Sequence, residues 1–103
     1  MKVFIVTGIC SDMDDTGETW LVAIYADPEL AEQHKKMAIQ RALEIYQEIG
    51  GVSGLEAWVV TRVPGNEWDK NMRMTRFGND YSIEESVFYE HPDQYISHHG
   101  DAP

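Results

Sequence analysis

The stretch that decides the fold runs from residue 27 to residue 51 and reads DPELAEQHKKMAIQRALEIYQEIGG. Asp27 is a suitable N-cap, Pro28 suits the first helical position, and Glu29 favours the positive end of the helix dipole. The pattern predicts a helix that runs to Ile49 and stops at the two glycines that follow. Its apolar residues form one broad stripe, as in a helix that lies on a sheet: Leu30, Ala31, Met37, Ala38, Ala42, Ile45, Tyr46 and Ile49.

Two strands are predicted before this helix. Residues 2–9 are rich in β-branched and aromatic side chains, and residues 18–26 repeat that character. Turn-forming residues at 10–17 separate them, so we expect an antiparallel hairpin. Apolar side chains fall on both faces of the first strand, which predicts that it is buried on both sides or central in its sheet.

Two further strands are predicted after the helix, at 55–63 and 81–90. The connection between them, 65–79, is long, and long connections in compact domains are often functional or mobile. The order β-β-α-β-β predicts an α+β fold in which one long helix packs on a face of a mostly antiparallel sheet. We expect a single domain over 1–92 and a polar C-terminal tail over 93–103.

Length and composition narrow the class of protein. The 103 residues leave room for one domain, and the 43% hydrophobic content argues against disorder. Cys10 is the only cysteine, so no internal disulfide can form, which fits a reducing compartment. The apolar run at 3–9 is too short for a signal peptide, and no segment approaches the ~20 apolar residues of a membrane helix. We expect a cytoplasmic protein without contact to membranes.

The net charge of −10 is the strongest functional signal in the composition. Such a field keeps a protein soluble, repels nucleic acid and anionic lipid, and favours basic protein surfaces as partners. The acidic residues concentrate in the first hairpin and in the C-terminal quarter of the chain. The candidate partner-binding residues are Asp12, Asp14, Asp15, Glu18, Glu84, Glu85 and Glu90.

A smaller set of residues has the composition of a protein interface, which is enriched in Trp and Arg. Trp58 falls on the predicted third strand, on a face that also carries charged side chains. Trp68, Arg73 and Arg76 fall in the long connection. The alternative for the connection is a solvated loop with a little apolar anchoring.

Two polar residues interrupt the apolar stripe of the helix. His34 and Arg41 are seven positions apart and therefore lie two turns apart on one side of it. They are candidates for a small-ligand site, catalytic or not. The alternative is a hydrogen-bonded histidine at the edge of the core and an arginine whose stem packs while its head reaches water.

Motifs for catalysis, metals or cofactors are absent from the sequence. Residues 12–17 superficially resemble a calcium loop, but Ala23 stands where the loop needs its bidentate carboxylate. Glu84 and Glu85 are neighbours on a predicted strand, so they point to opposite faces and cannot work as a pair. No nucleophile motif, phosphate loop or dinucleotide fingerprint is found. We expect no metal, no cofactor and no catalytic residues.

The opening Lys2-Val3-Phe4-Ile5-Val6-Thr7, then Ser11-Asp12, a second strand and a helix beginning Pro28-Glu29-Leu30-Ala31-Glu32, resembles small uncharacterised proteins of bacteriophages and prophages. The resemblance covers about the first half of the chain and brings no known active site. It implies a location in the bacterial host cell. By analogy it also implies an inhibitor of host defence, such as an anti-CRISPR protein.

The predicted function is therefore that of a small, acidic, non-enzymatic binding protein. Carboxylates spaced along a rigid face can imitate the phosphates of DNA and block the basic groove of a host nucleic-acid-binding complex. Two alternatives stay open: a ligand-binding or catalytic site at His34 and Arg41, and a structural homo-oligomer, such as a dimer, that uses Trp58 and Trp68.

Overall fold

The computed structural model describes residues 1–11, 17–49 and 61–99, with backbone alone at 61–62 and 96–99. These ranges contain five strands and two helices. They are β1 (Lys2–Ser11), β2 (Gly17–Tyr25), α1 (Pro28–Glu48), β3 (Thr61–Arg62), β4 (Arg73–Met74), β5 (Asp80–Val87) and α2 (Pro92–His99).

The main sheet has three antiparallel strands in the order β2-β1-β5, with α1 packed on one face. The predicted α+β class, single domain and helix-on-sheet arrangement are confirmed. The prediction that the first strand is central is also confirmed, because β1 pairs with β2 on one side and β5 on the other. The molecule is 16 Å across its shortest dimension, so one sheet and one helix make up its thickness.

Helix α1 begins as its sequence predicts. The Asp27 side chain accepts a 2.8 Å hydrogen bond from the backbone N–H of Glu29, and Pro28 occupies the first helical turn. Ile49 is the C-cap; the glycine predicted to follow it, residue 50, lies outside the described residues. Ala31, Ala38 and Ala42 are buried, and these small side chains let the helix lie close to the sheet.

The predicted apolar stripe of α1 is partly wrong at one flank. Leu30 and Met37 are exposed, although both belong to that stripe. In the described part of the chain, the sheet beneath the helix has three strands, which cover the centre of the stripe and leave Leu30 and Met37 exposed. The buried cluster under the helix joins three elements and the connection before β5: Ala38, Ala42, Ile45, Met72, Met74 and Tyr81.

The long connection at 65–79 is an ordered part of the core. Met72 and Met74 are each only 1% exposed, and β4 pairs with β3 antiparallel. The alternative of a solvated loop with a little apolar anchoring is therefore wrong, because the connection supplies two of the largest buried side chains. Gly78 has a φ of 85° in the turn that leads into β5, a conformation that suits glycine.

The end of the chain differs from the prediction. Strand β5 stops at Val87, which pairs with Lys2 at the start of β1, and does not continue to 90. Within the predicted polar tail, α2 is helical to His99: proline at its first position and Asp93 in its first turn favour it. Of the strand predicted at 55–63, residues 55–60 lie outside the described part of the chain.

Candidate functional site

The two faces of the main sheet carry different residues because side chains alternate along a strand. On β1 the face toward α1 holds Val6, Gly8 and Cys10, all buried. The opposite face is called here the open face. It is formed by β1 and β2 residues with β5 residues alongside: Val3, Ile5, Thr7, Ile9, Thr19, Leu21, Ile24, Asp80, Ser82, Glu84 and Ser86.

The open face exposes apolar side chains. Leu21 is 56% exposed and Ile24 is 54% exposed, although both sit in the middle of a regular hairpin. They share this face despite their three-residue spacing because the β1–β2 register shifts between Val6 and Thr7. Ile5 lies directly beside Ile24 and is half-buried. Helix α1 covers the other face, so these side chains meet solvent.

Strand β5 adds carboxylates to the same face. Asp80 pairs with Ile9 and Glu84 pairs with Ile5, so both side chains project beside the apolar residues. They are four positions apart on the strand, which is about 13 Å. Both are exposed, and neither makes a salt bridge within the described residues. The open face is thus apolar in its middle and acidic along one edge strand.

The described members of the predicted acidic set do not gather into one patch. Asp12, Asp14 and Asp15 lie outside the described residues. Glu18 is opposite Cys10 on β2, whereas Glu85 is opposite Phe4 on β5. Cys10 and Phe4 are six positions apart on β1, so Glu18 and Glu85 lie about 20 Å from each other along the strands.

Cations within the protein neutralise part of this acidic set. Glu18 lies 3.6 Å from Arg73 and Glu85 lies 3.3 Å from Lys2. Glu84 and Glu90 are exposed and, among the described residues, have no cation within salt-bridge distance. Glu84 and Glu90 are thus the described members of the predicted set whose charge no cation of the described residues neutralises.

The predicted interface residues of the connection contact the protein itself. The guanidinium of Arg73 lies 5.6 Å from the centre of the Trp20 ring, and the carbonyl of Arg76 accepts a 2.6 Å hydrogen bond from the Tyr46 hydroxyl. Trp68 is half-buried, with its ring edge-on to His34. Trp58 lies outside the described residues. The connection thus anchors α1 to the sheet.

His34 has a hydrogen-bond partner at each ring nitrogen. Its Nε2 lies 2.7 Å from the carbonyl oxygen of Trp68, which can only accept, so Nε2 carries the proton. In the neutral ring Nδ1 is then an acceptor, and the Tyr25 hydroxyl donates to it at 2.7 Å. This chain of bonds joins β2, α1 and the connection, as expected of a histidine that stabilises the edge of the core.

Arg41 lies two turns further along α1, beyond Met37 and Trp68. Its guanidinium donates to Glu44 at 2.9 Å and lies 3.8 Å from Glu48. The hydrogen bond to Glu44 and the charges of Glu48, Glu44 and Glu67 raise its pKa. A cleft of about 360 Å³ lies beside His34, lined by Tyr25, Leu30, Gln33, His34, Lys36, Met37 and Trp68. Arg41 borders a separate, smaller depression.

The buried carboxylate of Asp69 is held by hydrogen bonds from several parts of the fold. Asp69 is 1% exposed, and the indole N–H of Trp20 lies 3.0 and 2.9 Å from its two oxygens. The Tyr81 hydroxyl donates to the same carboxylate at 2.7 Å, and the backbone N–H of Asn71 donates at 3.2 Å. Burial and the contact with Asp69 raise the pKa of Tyr81. The carboxylate ties β2, β5 and the connection together.

Other chemistry finds little support in the described ranges 1–11, 17–49 and 61–99. Cys10 is buried against the helix side of the sheet. No group of three or more His, Cys, Asp or Glu side chains there is placed to hold a metal ion. Neither α1 nor α2 is long and apolar enough to cross a membrane.

No family model, curated protein or solved structure matches this chain. The function is therefore argued from the geometry of the described residues.

Sequence reasoning missed three residues of the open face. Asp80 is four residues before Glu84, and the two-residue period of a strand places both on one face, so that signal was present. Leu21 and Ile24 were predicted as ordinary strand residues, because their spacing puts them on opposite faces of an unbulged strand. The bulge that unites them has no signature in the sequence.

Proposed function

We propose that this chain is a non-enzymatic binding protein that occupies a basic protein surface through its open face. The observation that carries the proposal is a single sheet face that exposes Leu21 and Ile24 on β2 and the carboxylates of Asp80 and Glu84 on β5, with β1 between them. Among the described residues, no cation lies within salt-bridge distance of either carboxylate. Exposed apolar residues next to charged ones are typical of a protein-binding surface.

The two components of the open face have separate roles in this proposal. Burial of apolar area on Leu21 and Ile24 supplies affinity, since each side chain removed from water contributes roughly 1–2 kcal/mol. Asp80 and Glu84 select Lys and Arg on the partner, and the net charge of −10 accelerates the encounter. Glu90 and the predicted partner-binding residues Asp12, Asp14 and Asp15 would add to the same negative charge.

The class of partner follows from the sequence resemblance to phage proteins. A host complex that binds nucleic acid presents the basic surface that such a face would fit, and occupying it would block DNA or RNA. The protein would then act inside the bacterial host as an anti-CRISPR-like inhibitor, with carboxylates standing in for phosphates.

The test compares two double variants of equal charge. Asp80→Lys with Glu84→Lys changes the open face, and Glu32→Lys with Glu67→Lys changes exposed acids outside it. Each substitution adds two positive charges, so both variants carry −6 instead of −10. Tagged protein is incubated with bacterial lysate, and each captured protein is then assayed for nucleic-acid binding with and without this chain.

The proposal expects capture of basic nucleic-acid-binding proteins whose activity the wild-type chain inhibits. The open-face variant should lose capture and inhibition, whereas the control should keep both at physiological salt. Equal behaviour of the two variants, or capture of no basic protein, contradicts the proposal. A dimer seen by light scattering across a dilution series, and abolished by Leu21→Ser, would instead assign the face to a second copy.

A small-ligand site is a second candidate, favoured by the apolar cleft beside His34. Trp68 lines the cleft, so a bound ligand should change tryptophan fluorescence. Substitution of His34 by Ala should then abolish ligand binding without loss of the fold. If His34→Ala mainly lowers the unfolding temperature, the histidine serves the core edge.

A further inference from the structure

Among the strands that the structure describes, β5 is an edge of the main sheet, and half of its backbone groups point away from β1. The N–H of Phe88 donates to the carbonyl of Met1 at 2.8 Å, and the amino group of Met1 lies 3.4 Å from the carbonyl of Phe88. In an antiparallel ladder alternate residues point their backbone groups toward the same neighbour. Those of Val87, Glu85, Ile83 and Tyr81 therefore point away from β1.

The first of these outward groups is already occupied. The side chain of Asp80 accepts a 2.8 Å hydrogen bond from the backbone N–H of Tyr81. The outward groups of Ile83, Glu85 and Val87 follow it along the edge, in a sheet whose described strands are β2, β1 and β5. Such an edge is a template on which another extended chain can form hydrogen bonds.

We propose that the β5 edge binds an extended, basic segment of the partner as an added strand. The inference rests on the proposed function and names the form in which the basic partner binds. Strand addition takes affinity from main-chain hydrogen bonds and specificity from the side chains that alternate on either side of the new strand. The helix side of the β5 edge is suited to apolar side chains of the added strand, and the open face is suited to basic ones.

On the helix side, an apolar groove lies between α1 and the start of β5. It has a volume of about 240 Å³, and Leu43 and Phe77 at its rim are 56% and 66% exposed. Tyr46 and Tyr81 also line it. Apolar side chains of the added strand would enter this groove.

On the open face, the intervening side chains of the added strand would lie beside Asp80, Ser82 and Glu84. Two carboxylates and a hydroxyl on one face favour Lys or Arg at those positions. The segment that fits best therefore alternates apolar and basic residues. A synthetic peptide with this alternation can test the inference.

Charge also explains why the edge would accept a basic segment and refuse a second copy. Asp80 and Glu84 on an edge strand repel another β5 strand, because like charges opposite each other destabilise strand pairing. The other edge strand, β2, lacks this selectivity. Its described carboxylate, Glu18, is held by Arg73 at 3.6 Å, and Leu21 and Ile24 give it an apolar surface.

The experiment uses the full chain, labelled with ¹⁵N, and an acetylated, amidated eight-residue peptide in which Lys or Arg alternates with Val or Leu. Binding should shift the amide signals of Ile83, Glu85 and Val87 and slow their hydrogen exchange at least tenfold. A matched peptide with Glu in place of every Lys and Arg should leave these signals unchanged.

N-methylation of the peptide separates strand addition from contact through side chains alone. Methyl groups on one alternate set of amides should weaken binding at least tenfold, and methyl groups on the other set should change it less than threefold. Equal effects of the two sets, shifts confined to β2, or no binding of the basic peptide at millimolar concentration overturn the inference.

Failure of the inference can be distinguished from failure of the proposed function. If captured basic proteins still depend on Asp80 and Glu84 while the two methylated peptides bind equally, the open face is the interface and the strand is not added. If the lysate capture is also insensitive to those carboxylates, both proposals are wrong.

Discussion

The two faces of the same three-stranded sheet are built on different principles. The face under α1 is closed, with buried apolar residues and one buried carboxylate whose donors are all within the protein. The open face leaves Leu21 and Ile24 of β2 in solvent and, on the far side of β1, carries β5 carboxylates that no described cation contacts. One face accounts for the stability of the fold, and the other is available for recognition.

This comparison predicts that substitutions on the two faces separate stability from binding. A change under α1 should lower the free energy of unfolding and affect binding only through folding. A change on the open face should weaken binding and leave the free energy of unfolding nearly unchanged.

The largest effect is expected from Asp69→Ala. It leaves the indole N–H of Trp20 and the hydroxyl of Tyr81 buried without their acceptor. Hydrogen bonds to a charged group contribute about 1.5–3 kcal/mol each, so the loss should be roughly 3–5 kcal/mol. Urea unfolding followed by tryptophan fluorescence measures it. Asp69→Asn keeps one acceptor and should lose less, so equal losses would contradict the network.

The next effect concerns the close approach of β1 to an indole ring. A Cβ added at Gly8 would overlap the ring of Trp20, because the side chain of Trp20 lies directly over this glycine. Gly8→Ala should cost about 1–3 kcal/mol through overpacking. Differential scanning calorimetry measures the shift. The double variant with Trp20→Phe should recover part of the loss, whereas additive losses would refute this contact.

A pH experiment sharpens the description of the closed face. The folded pKa of Tyr81 is raised by burial and by Asp69, whereas in the unfolded chain it is near the ordinary value of about 10. Above that pH the unfolded chain loses a proton that the folded chain keeps, so stability falls as pH rises. The slope from this residue approaches about 1.4 kcal/mol per pH unit.

The control for this slope is Tyr81→Phe, which removes the ionisable group. Stability is measured by urea unfolding between pH 9 and 11 for both proteins. Wild type should lose stability more steeply than the variant over this range. Parallel curves would show that Tyr81 ionises as easily when folded as when unfolded.

The smallest loss of stability is expected on the open face. Leu21→Ser and Ile24→Ser change side chains that are already more than half exposed, so unfolding free energy should change by no more than about 0.5 kcal/mol. Binding to a captured basic partner, measured by calorimetry, should nevertheless weaken at least tenfold. A variant that loses stability but keeps binding would place these residues in the core.

Much of the fold could be predicted from local patterns. Helix α1 and its cap at Asp27 follow from side chains within a few residues of each other, and β1 is central because its sequence is apolar on both faces. Helix α2 was missed because the polar sequence after 92 has no apolar stripe. The helix is stabilised by contacts between residues close in sequence, such as the ring of Tyr89, which lies edge-on to the ring of Tyr95.

The candidate site was predictable only in part. Glu84 was identified from charge, and the structure leaves it exposed without a contacting cation among the described residues. Glu18 and Glu85 were identified by the same signal, yet Arg73 and Lys2 lie beside them. Which carboxylate meets which cation depends on residues far apart in sequence, so composition cannot assign it.

The sequence by itself determined β1, β2, α1 and most of β5 and the surplus of negative charge, because these arise from neighbouring side chains and from simple counts. Only the tertiary structure decided which face of the sheet stays open. It also brought Asp69 to Trp20 and Tyr81, and Arg73 to Glu18. These contacts join residues that strand pairing and helix packing bring together across most of the chain, and no local pattern encodes them.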